Sequence, residues 1–266
     1  LYKLAYTPWE WHQPIMERAK QLGLISFSSP FDETAVDFLE DLDVPAYKIA
    51  SFENNHLPLI AKAASTGKPL IISTGMASLG DLEMAVRTAR DAGCKQLILL
   101  KCTSTYPATP ENTNISTIPH LKKLFDVEVG LSDHTMGVGV AVAAVALGAT
   151  VVEKHFTISR AEGGVDSAFS LEPKELESLV VETKRAWEAI GDVKYGPTSS
   201  EINNLKFKRS IYVAQNIAKD EVFTETNIKI VRPGDGSHPM FYDKFLGKKS
   251  KKEYKAGDPL ILEDFL

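Results

Sequence analysis

Two histidines, His134 and His155, each close a run rich in β-branched residues, VEVGLSDH (127–134) and TVVEKHF (150–156). Strands consecutive in the chain are usually neighbours in a sheet, so the two imidazoles fall on adjacent strand ends, where they can share one metal ion. A histidine at a strand end also serves simply as a hydrogen-bonded core residue, and spacing alone leaves both uses open. Two imidazoles leave most of a coordination sphere to oxygen ligands and open positions, which suits a Lewis acid such as Mn²⁺ better than a closed structural zinc. Asp133, Glu153 and Lys154 flank the pair, so the rim is expected to be charged. A second set places hydroxyls and an ammonium on separate strands: Lys48 with Ser51, Ser73 with Thr74, and Ser132. Together they compose a cradle suited to phosphate, although singly each is a residue that satisfies a strand end. Strict alternation puts Lys48 and Ser51 on opposite faces, so both reach one ligand only if the strand kinks or ends between them. Glu53, just past the same strand, is a candidate general acid or base, or else a solvated loop carboxylate.

Such a set needs a scaffold that brings several strand ends together. Up to about Gly191 the sequence alternates short β-branched runs with longer helical patterns, the signature of βα units and a parallel sheet. Six strand candidates are LISFSSP (24–30), AYKIAS (46–51), PLIISTG (69–75), QLILLKCT (96–103) and the two histidine-bearing runs. Gly23, Gly67, Gly93 and Gly148 precede several of them as helix stops. Nearly every candidate strand ends in chemistry, from Ser28 and Ser29 to Glu153, Lys154 and His155. In a (β/α)8 barrel all those ends meet at one mouth, whereas an open doubly wound sheet gathers only those beside its switch point. No G-x-G-x-x-G fingerprint follows a strand, so an α/β barrel is expected. Six strands fall short of the eight that close a barrel. The opening LYKLAYTPWEWH (1–12) reads as the middle of a protein, so the first two βα units and part of the active site are expected to lie outside this chain.

The turn-rich stretch YGPTSS (195–200) divides the chain into a partial barrel (1–193), a linker (194–204) and a small, mainly β domain (205–266), which is too small to be secure alone and is expected to dock. With 44% hydrophobic and 24% charged residues, disorder is excluded. A net charge of -5 gives no footprint for nucleic acid, and KKSKK (248–252) reads as a solvated face. The longest apolar run (138–152) is broken by Gly139, Gly148 and Thr150 and falls short of the ~20 residues of a membrane span; it reads as a buried helix entering a strand. Two cysteines, Cys94 and Cys102, make no disulfide framework, so a cytoplasmic setting without a signal peptide is expected.

These stretches together resemble the sialic acid synthase family of phosphoenolpyruvate-condensing enzymes, from SSPFDETAVDFLE (28–40) to the C-terminus. The text that carries the likeness includes AYKIASFE (46–53), STGM (73–76), KCTSTYP (101–107), GLSDHT (130–135) and EKHF (153–156). TPWEWH (7–12) and SFEN (51–54) look most like the pseudaminic acid synthase branch. The tail, with Arg232-Pro233-Gly234, resembles the antifreeze-like SAF domain. The resemblance implies a barrel mouth that binds phosphoenolpyruvate and an open-chain acetamido sugar, with Mn²⁺, or else Mg²⁺ or Co²⁺, at His134 and His155. It implies that Ser29, Lys48, Ser51, Ser73 and Ser132 bind substrate, that Tyr106 and Asp166 face the sugar or metal side, and that Glu53 and Asp166 serve catalysis. Ser104 stands where sialic acid synthases tend to carry Asn, which points to a sugar other than N-acetylmannosamine. Arg232 would reach a neighbouring subunit's site in a domain-swapped dimer. Rival readings are the same reaction giving N-acetylneuraminate or legionaminate, a Schiff-base aldolase using Lys101 or Lys154, and a sugar-binding scaffold without catalysis.

Overall fold

In the first of two compact units, Leu1–Gly191, the alternating pattern yields α1 (Trp9–Gln21), α2 (Glu33–Asp41), β1 (Tyr47–Ile49), α3 (Leu57–Ser65), β2 (Leu70–Ser73), α4 (Leu79–Asp91) and β3 (Leu97–Cys102). It continues through α5 (Thr117–Phe125), β4 (Glu128–Asp133), α6 (Gly139–Ala146), β5 (Val151–Lys154) and α7 (Pro173–Ile190). This computed structural model describes residues 6–262, so residues 1–5 of the opening segment lie outside it. The helices start where side chains satisfy free amides. Asp32 accepts from Ala35 N at 2.9 Å ahead of α2, and Ser78 with Asp81 forms a capping box at α4.

All five strands are parallel and lie side by side in chain order, β1-β2-β3-β4-β5. A doubly wound sheet reverses its order at a switch point, and none occurs here. The sheet is also curled. In a flat sheet the first and fifth strands would stand about 19 Å apart, at ~4.8 Å per strand, yet Lys48 Nζ on β1 lies 3.2 Å from Glu153 Oε2 on β5. This is the arc of a barrel whose inner face carries Lys48, Ser73, Cys102, Ser132 and Glu153. The opposite parity, Tyr47, Ile49, Leu70, Ile72, Leu97, Leu99, Val129 and Leu131, is buried against α3, α4 and α5 through Leu59, Ile60, Leu82, Val86, Ile118 and Leu121.

One expected strand is absent among the described residues. Residues 24–30 run without a ladder, and Leu24 and Ile25 are 62% and 82% exposed. Composition favours a strand there, but a strand exists only where a neighbour takes its hydrogen bonds. Leu24 N instead bonds back to Ala19 O at 2.9 Å and completes the stop of α1. The apolar run at 138–152 forms α6 and enters β5, as expected. No helix of the described residues is long and apolar enough to cross a membrane.

The second unit, Asp192–Leu266, is built on the antiparallel pair β6 (Ser210–Val213) and β7 (Ile228–Val231). Its own core joins Ile211, Val213, Ile217, Phe223, Ile228, Phe245 and Leu260. Among the described residues the rest of this tail contributes only isolated bridges, Tyr212 with Pro259, Ile217 with Tyr254 and Val222 with Lys249. Turns interrupt them before a ladder can extend.

Candidate active site

Strand β1 ends at Ile49 and a 3-10 turn begins at Ser51. The alternation that would separate Lys48 from Ser51 therefore stops between them. Lys48, 7% exposed, reaches Glu153, whose other oxygen accepts from Ser132 Oγ at 2.7 Å. Ser132 and Glu153 are register partners across β4 and β5. One carboxylate thus ties three strands together. Ser51 Oγ donates to Cys102 Sγ at 3.2 Å, and Ser104 Oγ lies 3.7 Å from the same sulfur. Gly75 packs against this group so closely that a Cβ there would meet Ser104 Oγ at 2.1 Å and Ser51 Oγ at 2.8 Å. Gly75→Ala is therefore expected to displace both hydroxyls and cost about 1–3 kcal/mol of stability; a denaturant melt checks it.

Two buried polar atoms at this mouth have no partner, Ser73 Oγ and Glu53 Oε2. Buried polar groups are nearly always bonded, so orphans at the ends of β1 and of its neighbour β2 are where a polar ligand belongs. Burial pushes the Glu53 carboxyl above its usual range, only partly opposed by its own backbone amide, Lys48 and His56. Asn54 Nδ2 holds the carbonyls of Ser73 at 3.3 Å and Gly75 at 3.0 Å, fixing the loop after β2.

The rings of His134 and His155 have centres 5.2 Å apart. His134 Nδ1–H donates to Thr103 O at 2.8 Å, so in the neutral ring Nε2 is the nitrogen that can ligate. His155 Nδ1 lies 3.4 Å from Asp166 Oδ2, the pairing with a carboxylate that orients metal-binding imidazoles. Burial, then the neighbouring His134, holds the His155 ring below its usual pKa, so its neutral form, the ligating form, is favoured. With metal–nitrogen bonds of about 2.1 Å, two ligating rings present centres roughly 4.6–5.3 Å apart. The observed spacing and donor chemistry therefore fit one divalent ion. Among the described residues no group of three His, Cys, Asp or Glu is placed to hold a metal, and the pair of rings offers two nitrogens. Tyr106 lies over this pair, 4.3 Å from the ring of His134 and 6.0 Å from that of His155, and Phe169 packs at 4.9 Å from His155.

The structure brings together Lys48, Ser51, Ser73, Ser104, Ser132, Tyr106, Asp166 and the two histidines. Ser29 belongs to another group, lining a cavity of about 260 Å³ with Trp9, His12, Ser28 and Phe31. Arg232 lies in the second unit, directly after β7. The expected charged rim needs one correction. Asp133 and Lys154 point away from the mouth, buried and paired at 2.9 Å, because each is one residue out of phase with Ser132 and Glu153. Lys154 is thereby engaged, and Lys101 Nζ donates to Cys102 O at 2.8 Å and Thr103 Oγ1 at 3.2 Å. Sequence reasoning named Glu153 but missed its central place. The signal was present: Glu153 and His155, like Ser132 and His134, stand two apart and so share a face.

The sequence matches the model of the NeuB family over residues 1–195 and that of the SAF domain over residues 208–266. The chain belongs to the NeuB family. A NeuB-family relative, the pseudaminic acid synthase of Campylobacter jejuni, is 44% identical over 265 residues, covering 100% of this chain and 77% of that protein. The N,N'-diacetyllegionaminic acid synthase of the same species is 40% identical over 255 residues, covering 95% of this chain and 76% of that protein. Among solved structures, the spore coat polysaccharide biosynthesis protein spsE of Bacillus subtilis matches with a TM-score of 0.67 and 34% identity, over 98% of this chain and 78% of that one. The NeuB-family chain thus has the α/β architecture of such a neighbour, a curled parallel arc with a small antiparallel SAF domain.

Proposed function

We propose that this chain carries the site of a pseudaminic acid synthase, which joins phosphoenolpyruvate to a diacetamido-trideoxy sugar of the altrose series, consumes water and releases phosphate. The observation that supports it most is the histidine pair at 5.2 Å beside a buried lysine and two unpartnered polar oxygens. Whole-chain similarity to a pseudaminic acid synthase favours this sugar.

In this reading Lys48 and the hydroxyls of Ser51, Ser73 and Ser132 hold the phosphoenolpyruvate anion. His134 and His155 would hold a divalent ion, Mn²⁺ or else Mg²⁺ or Co²⁺, which would supply Lewis-acid polarisation of the sugar aldehyde. Tyr106 walls the sugar side, and Asp166 keeps His155 oriented. The vinyl carbon of phosphoenolpyruvate bonds to the aldehyde carbon, and positive charge develops at the pyruvyl C2. Glu53 takes a proton from the water that adds there. The resulting tetrahedral carbon collapses to the ketone and expels phosphate by C–O cleavage. Arg232 of a second copy completes the sugar end in a swapped dimer, and the reaction proceeds in the cytoplasm.

The test is phosphate release by the full-length protein with phosphoenolpyruvate and each of three sugars, with and without EDTA. The altrose-series sugar is expected to give the highest kcat/KM, with EDTA abolishing turnover. A higher value with the legionaminic precursor or with N-acetylmannosamine would transfer the assignment to that sugar. No phosphate from any of them would overturn the synthase reading.

A further inference from the structure

Behind the mouth, on the face turned away from the rings, lies a buried charged knot that touches both histidine-bearing strand ends. Asp133 and Lys154 are register partners, with side chains 0% and 4% exposed and an Oδ2–Nζ distance of 2.9 Å. Asp133 Oδ1 accepts from Thr135 N at 2.9 Å and from Thr135 Oγ1 at 2.8 Å. Lys154 Nζ also donates to Thr135 O. The residues on either side of His134 and the residue before His155 therefore form one hydrogen-bonded unit.

Its place in the fold explains what it is for. β4 ends at Asp133 and β5 at Lys154, so both histidines sit one residue beyond the ladder that keeps the strands in register. Beyond that point their backbones bond to different partners, His134 O to Ala108 N at 2.9 Å and His155 O to Leu171 N at 2.8 Å, not to one another. The knot is the last link between the two strands before they diverge. A buried ion pair is seldom the most stabilising filling for such a space, so stability alone is weak ground for its presence.

We infer that Asp133 and Lys154 are positioning residues that set the separation of His134 and His155 from behind, without touching substrate. This rests on the reading of the two histidines as metal ligands. Outer-sphere groups that orient ligands typically govern about 10–100-fold of metal affinity.

The test uses the full-length protein carrying Asp133→Asn together with Lys154→Met, a pair that leaves no unpaired buried charge. Calorimetric titration with Mn²⁺ is expected to show affinity about 10–100-fold weaker, with a melting temperature close to that of the parent. A crystal structure of the metal-free variant is expected to show the ring centres displaced from 5.2 Å by more than ~0.5 Å, beyond the tolerance of a working site. Thr135→Val, which removes one donor and no charge, should show the same changes at smaller size and serves if the double variant does not fold. Lys122→Met, at the exposed Lys122–Glu128 pair, should change neither. Parent-like Mn²⁺ affinity and ring spacing in the folded variant would overturn the inference. A parent protein that binds no Mn²⁺, or binds it equally as His134→Ala, would count against the metal reading alone, and the metal-free ring spacing would still decide the inference.

Discussion

Glu53→Gln is expected to lower turnover by about 10²–10⁴-fold, the usual contribution of a positioned acid or base, while leaving the protein as stable as the parent or more so. Both halves follow from one observation: the carboxyl is drawn out of water with Oε2 unpartnered, and burial raises its pKa. The free-energy linkage has a definite sign. An acid whose pKa is higher folded than unfolded binds its proton more tightly in the native state, so stability falls as pH rises from the unfolded pKa towards the folded one. Below that window the carboxyl is protonated in both states and the cost vanishes; above it the cost is complete. Gln keeps the shape and never carries the charge, so the variant escapes the cost at neutral pH. As a base Glu53 must be ionised, so the acid limb of kcat/KM should lie above the ordinary carboxylate range and disappear in the variant. Phosphate-release assays across pH, with thermal melts of both proteins, check the pair of effects. Near-parental turnover would remove Glu53 from the mechanism, and a marked loss of stability would show that its carboxylate is needed for folding.

The other large effect concerns the rings. His134→Ala and His155→Ala are each expected to reduce Mn²⁺ affinity by more than the ~10–100-fold that outer-shell changes cost, and to abolish turnover at metal concentrations that saturate the parent. Each substitution halves the protein's nitrogen donors, since no third His, Cys, Asp or Glu among the described residues is placed to compensate. The two should not be equal in stability. His134 is 5% exposed and its Nδ1–H satisfies Thr103 O, so alanine there also opens a cavity and strands a carbonyl, at a cost of about 1–3 kcal/mol. His155 is only partly buried and bears against Asp166, Tyr106 and Phe169, so its loss should weigh mainly on metal binding. Titration calorimetry and thermal melts separate the effects. Undiminished Mn²⁺ binding by either variant would deny the pair its role.

Much of this molecule could be read before any coordinates. Periodicity and β-branched runs determined the parallel strands, their chain order and the concentration of polar residues at their C-terminal ends, because those depend on local backbone preference and on side chains alternating along a strand. The text of SDHT (132–135) and EKHF (153–156) likewise determined that two histidines close neighbouring strands. Three matters were decided only in three dimensions. Residues 24–30 have the composition of a strand, yet pairing depends on a neighbour that local sequence does not name. The meeting of Lys48 with Glu153 depends on the curl of the sheet, which accumulates over five strands and appears in none of them singly. Alternation along each strand already separates Glu153 from Asp133 and Lys154, but which of the two faces is the mouth depends on a register that a shift of one residue would invert. Sequence thus set which chemistry was present and near which strand ends, and tertiary structure set which groups face one another, because facing is a property of packed neighbours rather than of the chain.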